Sequence, residues 1–266
     1  MRASTVVAGG GPGLLLAGAL VPGLRPVVAI ALLAGWLLLL LFRRRPEALA
    51  WAATLPVGVL LIWPWAVGID VPLGEVACVA PFSDIVLRRV VVAAVGLGLA
   101  GLVSVVHRVG ATELGLRRPG RSEAAAALGG LLALAIGGLV IGPIVAEPFF
   151  GPLEYATPAA VIVPAVLFGI ANGVLEEVAY RGVLQAFLGR LVPIAPAIAF
   201  QGLVFGIVHA GPEVVALLPL HIAMLSAVGV AAGIARWKLG SLWVPIGIHV
   251  GADIALYVGL ACRSAP

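Results

Sequence analysis

The chain has 266 residues, of which 62% are hydrophobic and 11% are charged, and its formal net charge is +4. This composition and a mean hydropathy of +1.18 exclude an ordinary soluble domain and predict an all-α polytopic membrane protein. The basic excess does not predict nucleic-acid binding, because the arginines form short clusters between apolar runs, as topology signals do. Cys78 and Cys262 are too few for a metal cluster or a disulfide framework, and whether they pair is left open.

Apolar runs long enough to cross a bilayer fill the chain from end to end, given that one crossing takes about 20 helical residues. The candidate spans, nine in number, are 5–22, 26–42, 47–69, 90–107, 124–146, 157–187, 192–209, 214–235 and 241–261. Only the sequence PGLRP separates the first two, which could instead form one broken or re-entrant pair, so eight spans is the alternative. We expect a single membrane domain over 1–266, with no motif that assigns a role to 1–105.

Basic residues predict the orientation of the bundle, since cytoplasmic loops are enriched in arginine and lysine. Clusters follow the second, fourth, sixth and eighth spans, which puts all four on one side. That side is predicted to be cytoplasmic and to hold the N-terminus. Arg25, Arg88 and Arg89 run against this pattern. The clusters contain Arg43, Arg44, Arg45, Arg108, Arg117, Arg118, Arg121, Arg190, Arg236 and Lys238, and the opposite loops contain Asp70, Glu75, Asp84, Glu147, Glu154 and Glu213.

Ionisable residues inside the last four spans are the first indication of function. Each costs about 2.5–3.5 kcal/mol or more at the centre of a membrane helix, so each is a functional candidate. Residues four apart share a helix face, which allows Glu177 to pair with Arg181 and places His249 one turn from Asp253. Glu176 lies about 100° around the helix from Glu177. We therefore expect one carboxylate to be neutralised by the arginine and Glu176 to stay free to act as a general base.

Three motifs in this region occur in a recognisable order. The sequence EEVAYR fits Glu-Glu-x-x-x-Arg, FGIVH (Phe205–His209) fits Phe-x-x-x-His, and HVGAD (His249–Asp253) fits His-x-x-x-Asn/Asp. Their order and separation resemble the CPBP family, which contains the CAAX prenyl endopeptidases and bacteriocin-processing enzymes. The resemblance covers roughly 110–260.

That resemblance implies an intramembrane endopeptidase of the glutamate type, a peptidase and hydrolase. It implies that Glu176 and His209 activate the attacking water and that His249 and Asp253 stabilise the oxyanion and orient the substrate. Glu177, Arg181 and Phe205 would support the site. Asp253 stands where prenyl endopeptidases typically carry asparagine, and a carboxylate donates no hydrogen bond unless it is protonated. It could instead orient His249 or favour its charged form.

A metal cofactor is the main alternative for the chemistry. Glu176, His209 and His249 could form a zinc site with open positions. The sequence HExxH is absent, however, and the resemblance favours water activated without a metal.

Two other functions remain open from the sequence. One is a catalytically silent scaffold, for example a bacteriocin-immunity protein, and the other is a proton-coupled transporter, although transporters often have paired halves with broken helices.

The expected partners are the lipid bilayer and a membrane-associated peptide or protein, prenylated or carrying a leader or sorting tag. A multi-pass protein of a bacterial inner membrane is the expected location. His221 is expected to be structural, His107 interfacial, Gln201 a helix-packing hydrogen bond and Tyr180 a packing residue.

Overall fold

The computed structural model describes residues 3–66, 82–150, 162–209 and 218–261, and every regular element within these ranges is a helix. This confirms the predicted all-α fold. In chain order the helices are α1 (Ala3–Leu20), a 3₁₀ turn (Pro22–Leu24), α2 (Arg25–Leu41), α3 (Arg45–Ala52), α4 (Leu55–Ala66), α5 (Phe82–Val106), α6 (Arg121–Phe150), α7 (Ile162–Glu177), a π-helix (Val178–Leu184), α8 (Gln185–Gly189), α9 (Ile194–Val208), α10 (Leu218–Leu239) and α11 (Trp243–Ala261).

Two of the predicted spans are interrupted. The third, 47–69, is divided into α3 and α4 by a turn at Ala53 and Thr54, where the Thr54 hydroxyl donates to the Trp51 carbonyl at 2.7 Å. Pro56 follows at the second position of α4, where its missing N–H costs no helical hydrogen bond. The sixth, 157–187, changes from α-helix to π-helix after Glu177. Both cysteines and the acidic loop residues of the predicted outer side lie outside the residues whose side chains are described.

The helices have the length and the surface of membrane spans. Five are long and apolar enough to cross a bilayer, and three shorter apolar helices accompany them. Large apolar side chains point outward along the bundle, among them Val105 at 78% and Ile30 at 70% exposure. Such a surface is stable in lipid and not in water, so the protein is an integral multi-pass membrane protein. The five are Pro22–Leu41, Val86–Val106, Arg121–Ile141, Ile162–Gly189 and Pro219–Leu239, and the shorter three are Val6–Leu20, Ile194–Val208 and Trp243–Val258.

Glycines spaced four apart set how closely the C-terminal helices pack. A Cβ added at Gly173 of α7 would lie 3.0 Å from the backbone nitrogen of Val250 in α11, and one added at Gly251 would lie 2.3 Å from the Leu131 carbonyl oxygen in α6. Membrane helices approach closely through such small residues because lipid offers no hydrophobic drive for association. The pairs are Gly169 with Gly173, Gly202 with Gly206, and Gly247 with Gly251.

The predicted basic clusters meet at one end of the bundle. Arg190, after α8, donates to Glu113 and to the carbonyls of His107 and Arg108, and Arg236 donates to the Glu113 carbonyl. Burial, together with the charges of Arg190 and Arg45, lowers the pKa of His107, whose Nε2 accepts a 3.0 Å hydrogen bond from the Trp36 indole. His107 is thus neutral at this end of the bundle. The cytoplasmic assignment of this end stays a prediction.

Candidate active site

The stretch Asn172–Gly182 crosses the junction between α7 and the π-helix. Glu176 and Glu177 are the last two residues of α7, and the π-helix begins at Val178. A π-helical turn shifts the faces of a helix relative to the α-helix before it, and such turns often occur at functional sites. Here the turn lies directly after the paired carboxylates, and nearly all of the stretch is buried.

Glu177 and Arg181 form the ion pair expected from their spacing. Arg181 Nη1 donates to Glu177 Oε1 at 2.9 Å, and their side chains are 1% and 2% exposed. The Arg181 guanidinium also lies 4.4 Å from the centroid of the Phe205 ring, a cation–π distance. This pair joins the π-helix to α9 through the Phe205 ring.

Glu176 is also paired with an arginine, and the expectation that it stays free was wrong. Arg89 of α5 donates from Nη2 to Glu176 Oε1 at 2.8 Å, and the Glu176 side chain is 5% exposed. A buried carboxylate needs such a partner because its desolvation is costly. Spacing along one helix could not reveal a partner 87 residues away. The other oxygen, Oε2, makes no hydrogen bond to the described residues.

His209 faces that second oxygen. It caps the end of α9, and its Nδ1 lies 2.7 Å from the Phe205 carbonyl oxygen, so Nδ1 carries the proton and donates. Its Nε2 lies 3.4 Å from Glu176 Oε2. His209 is 31% exposed at the side chain, which makes it the more open member of this pair.

His249 approaches the same oxygen from α11. Its Nδ1 donates to Glu177 Oε1 at 2.8 Å, because an ionised carboxylate can only accept. Its Nε2 lies 3.7 Å from Glu176 Oε2 and 3.6 Å from Asp253 Oδ2. Glu177 therefore orients His249 as well as pairing with Arg181.

The two imidazoles thus converge on a single carboxylate oxygen. Each ring donates its Nδ1–H to a fixed acceptor, which turns its Nε2 toward Glu176 Oε2. The position of each proton follows from the hydrogen-bond partners. A carboxylate oxygen facing two ring nitrogens can accept a proton and return it, which is what general acid–base chemistry requires.

Residues 158–255 match a family model described as Type II CAAX prenyl endopeptidase Rce1-like. This segment is similar to that family, which supports the CPBP assignment made from the motifs. At the level of the family, the match supports a CAAX-type intramembrane protease. No curated protein and no solved structure gave a significant match.

All of the site residues expected from the three motifs lie inside the Rce1-like segment, and the structure brings them together. Phe205 is the centre of the aromatic contacts: its ring centroid lies 4.4 Å from that of His209 and 6.0 Å from that of His249. The matched segment is shorter than the 110–260 suggested by the motifs, and it excludes Arg89.

Asp253 has an amide partner inside the Rce1-like segment. Asn172 Nδ2 donates to Asp253 Oδ2 at 2.9 Å, and both residues are buried. Asn172 lies one turn before Glu176 on α7, so the hydrogen bond ties α7 to α11 beside the site. Asp253, which stands where prenyl endopeptidases typically carry asparagine, therefore has the side chain of an asparagine, Asn172, as its hydrogen-bond partner.

Three residues that contact the site were not among the expected ones. Arg89 was visible in the sequence as an exception to the charge pattern of the loops, although the predicted span 90–107 begins one residue after it. Asn172 is a polar residue one turn from Glu176, which is a weaker signal. His221, expected to be structural, has its Nε2 3.1 Å from the His209 carbonyl oxygen and so steadies the end of α9.

Tyr180 is fully buried against Phe205, and Gln201 donates to the Gly229 carbonyl at 2.8 Å, as a helix-packing hydrogen bond does.

The side chains do not fit a zinc centre well. Among the described residues, no three histidine, cysteine, aspartate or glutamate side chains are arranged to hold a metal ion. The Arg89 guanidinium also places a positive charge 2.8 Å from Glu176, which opposes a cation bound at the same carboxylate. Activation of the water without a metal stays a prediction, which a chelator tests.

Proposed function

We propose that the protein is an intramembrane endopeptidase that hydrolyses a peptide bond of a membrane-associated protein with a water activated at Glu176. The observation that supports this most directly is the convergence of His209 Nε2 and His249 Nε2 on Glu176 Oε2, at 3.4 and 3.7 Å. A silent scaffold has no need for two imidazoles oriented toward one buried carboxylate oxygen, whereas a proton relay in a transporter can use such a cluster and is tested separately below. The family match supports the same class of reaction.

In the proposed reaction, the water oxygen attacks the scissile carbonyl carbon while Glu176 Oε2 takes one of its protons. His209 Nε2 accepts a hydrogen bond from the same water and holds it in line. The carbonyl π bond breaks as the new C–O bond forms, and the charge moves to the carbonyl oxygen. When the C–N bond breaks, Glu176 returns its proton to the leaving amine nitrogen, which gives a carboxylic acid and an amine.

His249 is proposed to stabilise the oxyanion of the tetrahedral intermediate. Its Nε2, when protonated, donates toward the site, and the three carboxylates of Glu176, Glu177 and Asp253 surround its ring. A preorganised donor of this kind contributes about 2.7–4 kcal/mol in other hydrolases. Asp253, held by Asn172, would keep the His249 ring in place.

The substrate is proposed to be a protein segment held at the membrane, either prenylated or marked by a leader or sorting sequence. The site lies among helices with lipid-type surfaces, and the exposed edge of His209 offers access to the buried carboxylate. A soluble peptide would have to enter an apolar bundle, whereas a lipid-anchored or apolar segment is already concentrated there.

Purified full-length protein in detergent or nanodiscs tests the proposal. It is given three fluorogenic substrates: a prenylated CAAX peptide, the same peptide without its lipid, and a membrane-tethered leader peptide. We expect cleavage of at least one, and Glu176→Gln and His209→Ala should each reduce it about 10²–10⁴-fold. Glu113→Gln and His107→Gln, which change the same residue types at the basic end of the bundle, are the matched controls.

Three results would argue against this function. Equal cleavage by wild type and Glu176→Gln would remove the proposed base. Inactivity of folded wild type on all three substrates would favour the scaffold, and pH-driven uptake into proteoliposomes would favour the transporter. Loss of cleavage on adding a chelator, restored by zinc, would establish the metal-dependent alternative.

A further inference from the structure

Arg89 supplies the contact to Glu176 from a part of the chain that the family match does not cover. It lies in α5, within the candidate span Val86–Val106, whereas the matched residues are 158–255. Its side chain is 11% exposed, and its guanidinium carbon lies 5.9 Å from the centroid of the Phe168 ring. An arginine buried in a membrane span is costly, so this one is a functional candidate.

The hydrogen bond engages one particular oxygen of Glu176. Arg89 Nη2 lies 2.8 Å from Oε1, while both imidazole Nε2 atoms face Oε2. The terminal torsion of a glutamate is broad and two-fold, so an unrestrained carboxylate would turn freely. A donor fixed on one oxygen holds the carboxylate plane and keeps the other oxygen directed at the imidazoles.

Helix packing holds the backbone of Arg89 in place for this contact. α5 packs against α7, and a Cβ added at Gly96 would lie 2.5 Å from Leu175, the neighbour of Glu176. Because the Leu175 side chain packs onto the bare backbone at Gly96, α5 is held against α7, and the guanidinium reaches Glu176 from a packed helix rather than from a loop. Sites supported on rigid elements hold reacting groups within the small tolerance that catalysis requires.

We propose that Arg89 is a positioning residue of the active site: it fixes Glu176 Oε1 so that Oε2 faces the water and both imidazoles. The proposal rests on the proposed function, and it assigns a part in the reaction to the N-terminal half of the chain. Two competing roles make different predictions. An arginine that anchors the substrate affects KM, and one that only balances charge is replaceable by any nearby cation.

The experiment compares Arg89→Met, Arg89→Lys and the matched control Arg88→Met, all as purified full-length protein with the substrate that wild type cleaves. Arg88 is the neighbouring arginine, about 100° around the same helix. We expect Arg89→Met to lower kcat about 10–100-fold with KM nearly unchanged, since small misplacements of a reacting group cost rates of this order. Arg89→Lys should recover part of kcat, and Arg88→Met should retain it.

A second measurement observes the Glu176 carboxylate directly and does not require the protein to cleave a substrate. The infrared difference spectrum between wild type and Glu176→Gln gives the carboxylate stretching bands of Glu176. Arg89→Met should shift these bands and Arg88→Met should not. If wild type cleaves nothing, the proposed function fails while this measurement still reports on the Arg89 contact.

Several outcomes would overturn the positioning role. They are unshifted carboxylate bands in Arg89→Met, a rise in KM with unchanged kcat, or an equal loss of kcat in Arg88→Met. A further reduction of kcat when Arg89→Met is added to Glu176→Gln would also do so, since residues that act as a unit are not additive. If Arg89→Met does not fold, Arg89→Lys decides, with a kcat below wild type at unchanged KM expected.

Discussion

The helices α1–α4 and the helices α7–α11 bury different kinds of side chains. The first group has a core of apolar residues such as Leu15, Leu32, Trp36 and Leu61, and its buried polar residues among those described are Glu47 and Thr54. The second group, with the connections between its helices, buries a series of polar and charged residues. These are Asn172, Glu176, Glu177, Arg181, Gln185, Gln201, His221, Ser241 and Asp253.

This difference indicates that α1–α4 serve mainly for packing, whereas α7–α11 carry the chemical groups of the site. In lipid, an apolar core costs little and needs only shape complementarity, whereas each buried charge needs a partner. The second group meets that need with ion pairs and hydrogen bonds that also orient the histidines. α5 connects the two groups, because it packs against α7 and brings Arg89 to Glu176.

The largest effect on stability is expected from breaking the most deeply buried ion pair. Arg181→Met leaves Glu177 charged at 2% exposure without its guanidinium partner, with the hydrogen bond from His249 still in place, which should lower the free energy of unfolding by about 3–5 kcal/mol. Adding Glu177→Gln should recover part of this loss. Unfolding with a denaturing detergent, followed by tryptophan fluorescence, measures it, and a single variant as stable as wild type would contradict the pairing.

A cavity in α1–α4 should destabilise the folded protein without changing the rate of the reaction. Leu32→Ala removes a fully buried side chain from α2, at a cost of about 2–5 kcal/mol. The kcat of the protein that remains folded should equal that of wild type. A kcat reduced tenfold or more per folded molecule would mean that α1–α4 take part in the reaction more directly than the comparison implies.

Separating α7 from α11 should damage both stability and activity. Gly173→Val would press a side chain onto the Val250 backbone next to His249, costing about 1–3 kcal/mol of stability. Cleavage should also fall, because His249 moves relative to Glu177. Gly98→Val is the control, since a Cβ at Gly98 meets nothing within 4 Å. Equal behaviour of the two variants would show that this close approach is not needed.

The smallest effect is expected at the basic end of the bundle, where the charges are partly in solvent. The hydrogen bond from Arg190 holds the pKa of Glu113 below its usual value, so Glu113 stabilises the folded state at neutral pH. That contribution is lost as the pH falls through the lowered pKa of the folded state. Arg190→Gln should reduce this pH dependence, measured as stability against pH, by under about 1 kcal/mol for such an exposed pair, and the hydrogen bond from the Gly110 N–H should retain the remainder.

Much of the fold was predictable because hydropathy varies along the chain in the same way as burial in lipid. The helices follow the predicted spans, and the exceptions are local: the turn at Thr54 and the π-helix after Glu177. A window of hydropathy averages over about 20 residues and cannot register a short local change of helical geometry. The pairing of Glu177 with Arg181 was predictable because both lie on one helix, four residues apart.

The partner of Glu176 was not predictable in this way. Arg89 was visible only as an exception to the charge pattern of the loops, and nothing in the spacing linked it to a residue on another helix. The same holds for Asn172 with Asp253 and for His221 with His209, which are contacts between helices. Such contacts depend on the rotation of each helix about its axis, which the packing of small residues sets.

The sequence by itself determined the membrane class, the helices and the set of ionisable residues that a lipid environment would not otherwise tolerate, because these follow from composition and from the fixed period of a helix. Only the tertiary structure decided which carboxylate oxygen meets which nitrogen. Helix packing brings α5, α7, α9 and α11 together, fixes Glu176 Oε1 against Arg89, and turns Oε2 toward His209 and His249.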